Sequence, residues 1–128
     1  MAPRGAYEAA FDAIVGGGSK AVLVPSSTIF PADRKLIIEL AARHRLPAIY
    51  EWGYMAREGG LMGYGPALAD LDRRAATFVD RIAKGAKPAD LPVEQPTTFE
   101  FFVNLKTARA IGIPIPQSLL LRADQVIE

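Results

Sequence analysis

Three groups of side chains in this sequence could hold a small molecule. Ser26-Ser27-Thr28 follows the apolar run Ala21-Val22-Leu23-Val24 and Pro25, Glu51-Trp52 follows Leu46-Pro47-Ala48-Ile49-Tyr50, and Tyr64 closes Leu61-Met62-Gly63. Each apolar run reads as a strand, so these groups stand at strand carboxyl ends, where open α/β sheets receive their ligands. A carboxylate beside the chain's only tryptophan suits an amine or a cationic, flat or aliphatic ligand, through charge pairing and stacking. Each group also has a plain structural reading. A hydroxyl of the Ser26–Thr28 run can cap the following helix, and Trp52 can pack over the sheet edge while Glu51 stays in water.

Other chemistries find less support. Gly63-x-Gly65 lies between strand and helix as a dinucleotide fingerprint would, but the third small position is Leu68, and Pro66 removes a donor from the helix start. Gly16-Gly17-Gly18 follows a helix and lacks the lysine and hydroxyl of a phosphate loop. His44, the single histidine, sits between Arg43 and Arg45 with no orienting partner and reads as a solvated helix end. With no nucleophile beside a base, no paired carboxylates and no metal-ligand cluster, neither an enzyme nor a cofactor or metal is expected.

The elements that would position these groups alternate along the first half. Tyr7, Ala10, Phe11, Ile14 and Val15 make one helical face, and the triple glycine stops it. Ala21-Val22-Leu23-Val24 has the continuous apolar character of a parallel strand buried on both faces. Leu36, Ile37, Leu40 and Ala41 define a helix over residues 31–44, and residues 54–58 form a single helical turn. Strand, helix, strand, short helix, strand implies right-handed parallel connections. Gly63 and Gly65 then free the backbone around Tyr64 to bend or to approach a ligand, unless Gly65-Pro66 simply turns strand into helix.

Residues 67–84 follow as a long amphipathic helix, with Leu68, Leu71, Ala75, Phe78, Val79 and Ile82 on one side. A linker over residues 87–92, a break at Pro96 and a strand over residues 98–103 come next. Asn104 caps a helix over residues 105–111 that Gly112 closes, and residues 117–127 carry a last helical pattern.

The chain has 128 residues, 50% hydrophobic and 23% charged, with a net charge of +1 and no cysteine. That is an ordinary globular balance with no basic stripe for nucleic acid and no disulfides. No apolar run approaches the ~20 residues that span a bilayer, and the amino end lacks the apolar core of a secretion signal, so the chain as written carries no export address and would stay cytoplasmic. The second half has helices without an obvious sheet of their own, and an amphipathic element without a partner leaves apolar area wet.

Several stretches resemble the carboxyl-terminal part of the ABC transporter substrate-binding protein family that includes tryptophan-binding lipoproteins. They are Leu46-Pro47-Ala48-Ile49-Tyr50, Gly59-Gly60-Leu61-Met62 with Tyr64-Gly65-Pro66, the block over residues 84–97 beginning Lys84-Gly85-Ala86-Lys87-Pro88, and Asn104-Leu105-Lys106-Thr107-Ala108 with Ile115-Pro116. The resemblance runs from about Glu8 over nearly the whole chain. It implies an α/β fold, an incomplete parallel-sheet, three-layer lobe of the periplasmic-binding-protein type I fold, with a helical tail belonging to the other lobe. Residues 1–63 would end the second ligand-binding lobe, and residues 64–128 would cross over and pack on the first.

The resemblance further implies a periplasmic solute-binding component of an importer, binding an amino acid or related solute and handing it to an ABC permease. Ser26, Ser27, Thr28, Glu51, Trp52 and Tyr64 would face the cleft, and Gly63, Gly65 and Pro96 would flex. Two departures leave the solute open: Ser26-Ser27 stands where many members carry an acidic residue, and Thr98 where lysine is frequent. A second reading makes the isolated chain a domain-exchanged homodimer without transport function. A third makes it the effector-binding half of a transcription regulator, although no helix-turn-helix is present.

Overall fold

A computed structural model describes residues 3–128 of the chain. Helix α1 (Arg4–Gly16) leads to β1 (Val22–Val24), α2 (Phe30–Arg43), β2 (Ala48–Tyr50), α3 (Gly53–Arg57) and β3 (Met62–Pro66). After these come α4 (Leu68–Ala83), a 3-10 turn at Pro88–Asp90, β4 (Phe99–Asn104), α5 (Leu105–Ile111), α6 (Gln117–Leu120) and β5 (Gln125–Ile127). The five strands form one sheet in sequence order, with β1–β2, β2–β3 and β4–β5 parallel. Between β3 and β4, Asn104 N donates to Leu61 O at 2.8 Å and Ala67 N donates to Thr98 O at 3.0 Å. Those two bonds run in opposite chain directions, so this central pair is antiparallel.

The chain divides into two compact units. One holds the residues up to Gly65 together with Glu100–Glu128, and the other is Pro66–Phe99. In the first, Val24, Ala48 and Tyr50 of the sheet pack against Phe11 of α1, Ile37, Ile38, Leu40 and Ala41 of α2, and Met55 of α3. A smaller cluster joins Leu61 to Ala108 and Ile111 of α5. Asn104 links the elements around it. Its amide donates to Ala56 O at 2.7 Å, and its side-chain oxygen caps α5 by accepting from Thr107 N at 2.9 Å. Gly112 ends α5 in the left-handed conformation (φ 75°), where glycine alone carries no Cβ penalty.

The second unit is α4 and the segment that returns along it. Arg74 anchors that segment, bonding Asp70 at 3.0 Å, Glu94 at 3.3 Å and Thr97 Oγ1 at 2.6 Å. No residue of α4 is buried.

Glu100–Glu128 stays with the first half's sheet, since β4 pairs with β3 and β5 with β4. Two expectations need correction. Residues 117–127 are not one helix. Asp124 N donates to Phe101 O at 2.8 Å and its carboxylate accepts from Phe101 N at 2.7 Å, so tertiary pairing overrides the local helical pattern. β1 is not buried on both faces either, because it ends the sheet and its Leu23 is 72% exposed.

Candidate functional site

The carboxyl ends of β1, β2 and β3 lie side by side, and the parallel register (Val24↔Tyr50, Tyr50↔Gly63) brings the three exit segments together. At the β1 exit, Ser27 Oγ accepts from Ile29 N at 3.3 Å, which turns the chain into α2. At the β2 exit the backbone stays extended through Trp52 (φ −112°, ψ 131°) and then starts α3. β3 passes unusually near that exit. A Cβ on Gly63 would lie 2.5 Å from Trp52 O and 2.8 Å from Gly53 Cα, and one on Gly65 would collide with Glu51 O. Neither glycine has a left-handed φ, so close approach is what requires them here. The consequence is that Tyr64, between them, stands next to Glu51.

Two hollows result. A hollow of about 210 Å³ is lined by Leu23, Val24, Pro25, Ile49, Tyr50, Glu51 and Tyr64. Beside it, Ser27, Glu51 and Trp52 border a depression of about 10 Å³ with Pro25, Phe30 and Met55, room for one water and no more. Tyr64 is 54% exposed and meets Phe101 edge-on, with centroids 6.2 Å apart and planes at 71°. Trp52 is half-buried and packs against the main core, as does Tyr54.

Of the six candidate residues, Glu51 and Tyr64 therefore share the larger hollow, and Ser27 and Trp52 border the smaller. Ser26 and Thr28 are exposed and line neither. Pro25 and Phe101 are additions that the sequence reading missed. Phe101 falls within the strand expected over residues 98–103, but its pairing with Tyr64 depends on the antiparallel match of β3 and β4.

Ionisation around the site is simple. Burial raises the Tyr50 hydroxyl well above its ordinary range, and burial, more than the neighbouring Glu58 and Glu51 charges, raises that of Tyr54. Both remain neutral phenols at physiological pH, which leaves Glu51 as the acidic side chain lining the larger hollow. His44, expected to be solvated and without a partner, is half-buried, stacked on Phe11 with centroids 6.0 Å apart and 3.7 Å from the Asp12 carboxylate, and it lines neither hollow. Among the described residues no group of three or more His, Asp and Glu side chains is arranged to hold a metal ion, and no helix is long and apolar enough to cross a membrane.

The candidate hinge positions fall along the two passages joining the units, at Gly65/Pro66 and Phe99/Glu100. Gly63 and Gly65 precede the first, and Pro96 lies ahead of the second, inside the α4 unit.

Residues 8–127 match the sequence model of a family described as ABC transporter substrate binding protein. The structure is similar to a conserved domain protein from Vibrio cholerae (TM-score 0.86, 20% identity, covering 96% of this chain and 41% of that one). It is also similar to an ABC domain from Streptococcus pneumoniae in complex with L-Trp (TM-score 0.85, 26% identity, 99% and 43%). A third likeness, to the ligand-free open form of a substrate-binding protein with adhesive properties from Clostridium difficile, is looser (TM-score 0.65, 17% identity, 99% and 42%). This chain thus spans well under half the length of each solved relative. No curated protein matches it.

Proposed function

Because this chain belongs to the ABC transporter substrate-binding protein family, we propose that it supplies one wall of a cleft for a small, ammonium-bearing solute, of the class of an amino acid. The observation that carries this is the hollow of about 210 Å³ at the strand carboxyl ends, where Glu51 and Tyr64 meet over an apolar floor. Glu51 would pair with the ammonium group, Tyr64 and Trp52 would offer ring faces, and the hydroxyls of Ser26, Ser27 and Thr28 would hydrogen-bond from the rim. The L-Trp bound by the pneumococcal relative belongs to this class and supports the reading.

The facing wall would come from the first lobe. On this proposal Pro66–Phe99 packs on that lobe through the apolar side of α4, and Gly63, Gly65 and Pro96 absorb the dihedral changes of closure. The closed, loaded form would be presented to an ABC permease outside the cytoplasmic membrane. Calorimetric titration of the chain, joined to the remainder of its fold, with L-amino acids and matched carboxylates tests the site. Glu51→Gln is expected to weaken ammonium-bearing solutes at least ~10-fold, about 1.4 kcal/mol, and to leave simple carboxylates unchanged. Unaltered affinities in Glu51→Gln and in Trp52→Phe would reject it.

A second reading has its own support in the bare apolar side of α4, where Val79 is 67% exposed. Two copies could cover these helices mutually, making a homodimer by exchange of the Pro66–Phe99 segment. A compact monomer in sedimentation would exclude it.

A further inference from the structure

We infer that β5 and the turn before it position the two rings of the proposed cleft, an inference that rests on the cleft reading above. Asp124 sets Tyr64 through Phe101, and Gln125 sets Trp52 through Arg57 and Phe102. Asp124, Gln125 and Arg57 line neither hollow. They are positioning residues, acting on the solute only through the rings.

Both routes pass through β4, where consecutive side chains leave opposite faces of the sheet. Phe101 meets Tyr64 edge-on. Phe102, 6% exposed, turns the other way and lies against the start of α3, since a Cβ on Gly53 would sit 2.9 Å from its ring. Gly53 directly follows Trp52, whose carbonyl accepts from Met55 N at 3.0 Å. The Phe102 ring therefore limits where the Trp52–Gly53 peptide can lie, and with it the indole.

What holds β4 at these two positions comes from residues 124 and 125. Asp124 takes both polar groups of the Phe101 backbone: its N–H donates to Phe101 O at 2.8 Å, and its carboxylate accepts from Phe101 N at 2.7 Å, a charge-assisted bond. The β4–β5 register then sets Gln125 beside Phe102. Gln125 Oε1 accepts from Arg57 Nε at 2.9 Å and from Arg57 Nη2 at 2.6 Å. That pair of bonds holds the guanidinium over the Phe102 ring, 4.7 Å from its centroid. Arg57 is also the last residue of α3, the helix that Trp52 leads into. β5 itself is three residues long, and its Val126 is 36% exposed. A strand with so little apolar burial contributes chiefly through these polar contacts. A ring released from them has to be immobilised by the solute, which costs roughly 2- to 10-fold in affinity.

Ring positions can be read by NMR of this chain without any solute. Asp124→Ala is expected to lose the Tyr64–Phe101 ring contacts and to leave the Trp52 indole signal in place. Gln125→Ala is expected to shift the indole and to keep those ring contacts. Asp124→Asn, whose amide oxygen still accepts from Phe101 N, should restore what Asp124→Ala loses. In the calorimetric series, each alanine variant should weaken the most tightly bound L-amino acid roughly 2- to 10-fold, and Asp124→Asn should recover it. Rings unmoved by both alanine variants would overturn the inference. So would both rings moving alike in both variants, the mark of a loosened fold, or displaced rings with affinity unaltered. The cleft reading fails separately, through unaltered affinities in Glu51→Gln and Trp52→Phe, whereas weakened binding in those two beside unmoved rings rejects the positioning role alone.

Discussion

Two helices of similar length show what the two units of this protein have in common and where they part. α2 buries Ile37, Ile38, Leu40 and Ala41 against the sheet, whereas α4 buries nothing, although its apolar and charged residues are the more cleanly separated around the helix. Amphipathic patterning records that a surface is to be covered; it does not say which chain covers it. α2 meets β1 and β2 within its own unit. Within its own unit, α4 has beside it a returning segment held by Arg74.

The contrast is sharpest in truncation. Leu40, with no exposed surface, is expected to cost about 2–5 kcal/mol as Leu40→Ala, through lost transfer energy and the cavity left behind. Val79→Ala and Ile82→Ala in α4 should each stay within about 0.5 kcal/mol in the isolated chain. Denaturant unfolding followed at both helices measures this, and comparable losses in α4 would mean that it is already covered, by the chain or by another copy.

Asn104 and Gly65 guard the places where the chain leaves and re-enters the sheet unit. Asn104→Leu leaves the Ala56 carbonyl and the Thr107 N–H without their buried partner, an expected loss of about 1–3 kcal/mol. Gly65→Ala should cost a similar ~1–3 kcal/mol by forcing β3 away from the Glu51 carbonyl. The two differ in a second readout. Gly65→Ala separates Tyr64 from Glu51 and so should weaken solute binding beyond its effect on stability, while Asn104→Leu should act on stability alone.

These cases also show what could be read from residues in order. The βα repeat of the first half, the cap at Asn104 and the left-handed stop at Gly112 are local, each decided within a few residues, and each is seen in the structure. The placement of Glu51 and Tyr64 at neighbouring strand ends followed from the same repeat. β5 was out of reach, because its three residues are extended only by pairing with β4 and by the Asp124 bonds to Phe101. The openness of β1 was hidden for a related reason. A run of Val and Leu looks the same at the edge of a sheet as in its interior.

Alkaline pH separates the units again, since Tyr7, Tyr50, Tyr54 and Tyr64 all precede Pro66. Burial first, and the bond to Asp33 second, push the Tyr7 hydroxyl up to about 12 from an ordinary 10. The unfolded chain gives up this proton near pH 10 while the folded chain still holds it. The stabilisation is therefore complete below pH 10 and is lost as pH rises from 10 toward 12, on the order of 1 kcal/mol. Tyr7→Phe should be less stable at neutral pH and show a flatter alkaline limb, read by exchange of α1 and α2 amides. The α4 unit contains no tyrosine.

A further small effect comes from the two helix ends, which close in the same way with different residues. Leu46 N donates to Ala41 O and Arg45 N to Ala42 O; Ala86 N donates to Arg81 O and Gly85 N to Ile82 O, all within 2.9–3.0 Å. The residue after the cap must be left-handed in both, and it is Arg45 (φ 52°) after α2 but Gly85 (φ 101°) after α4. An arginine there carries a Cβ penalty that glycine avoids. Arg45→Gly should accordingly raise global stability by up to about 1 kcal/mol, the left-handed penalty relieved less glycine's greater freedom in the unfolded chain, seen as a higher denaturant midpoint at constant slope. Gly85→Arg makes the opposite change at a helix with no buried residue, so it should fray the end of α4 without moving that midpoint. A global loss from Gly85→Arg would show that the α4 unit folds together with the sheet and that the contrast between the two helices is one of exposure alone.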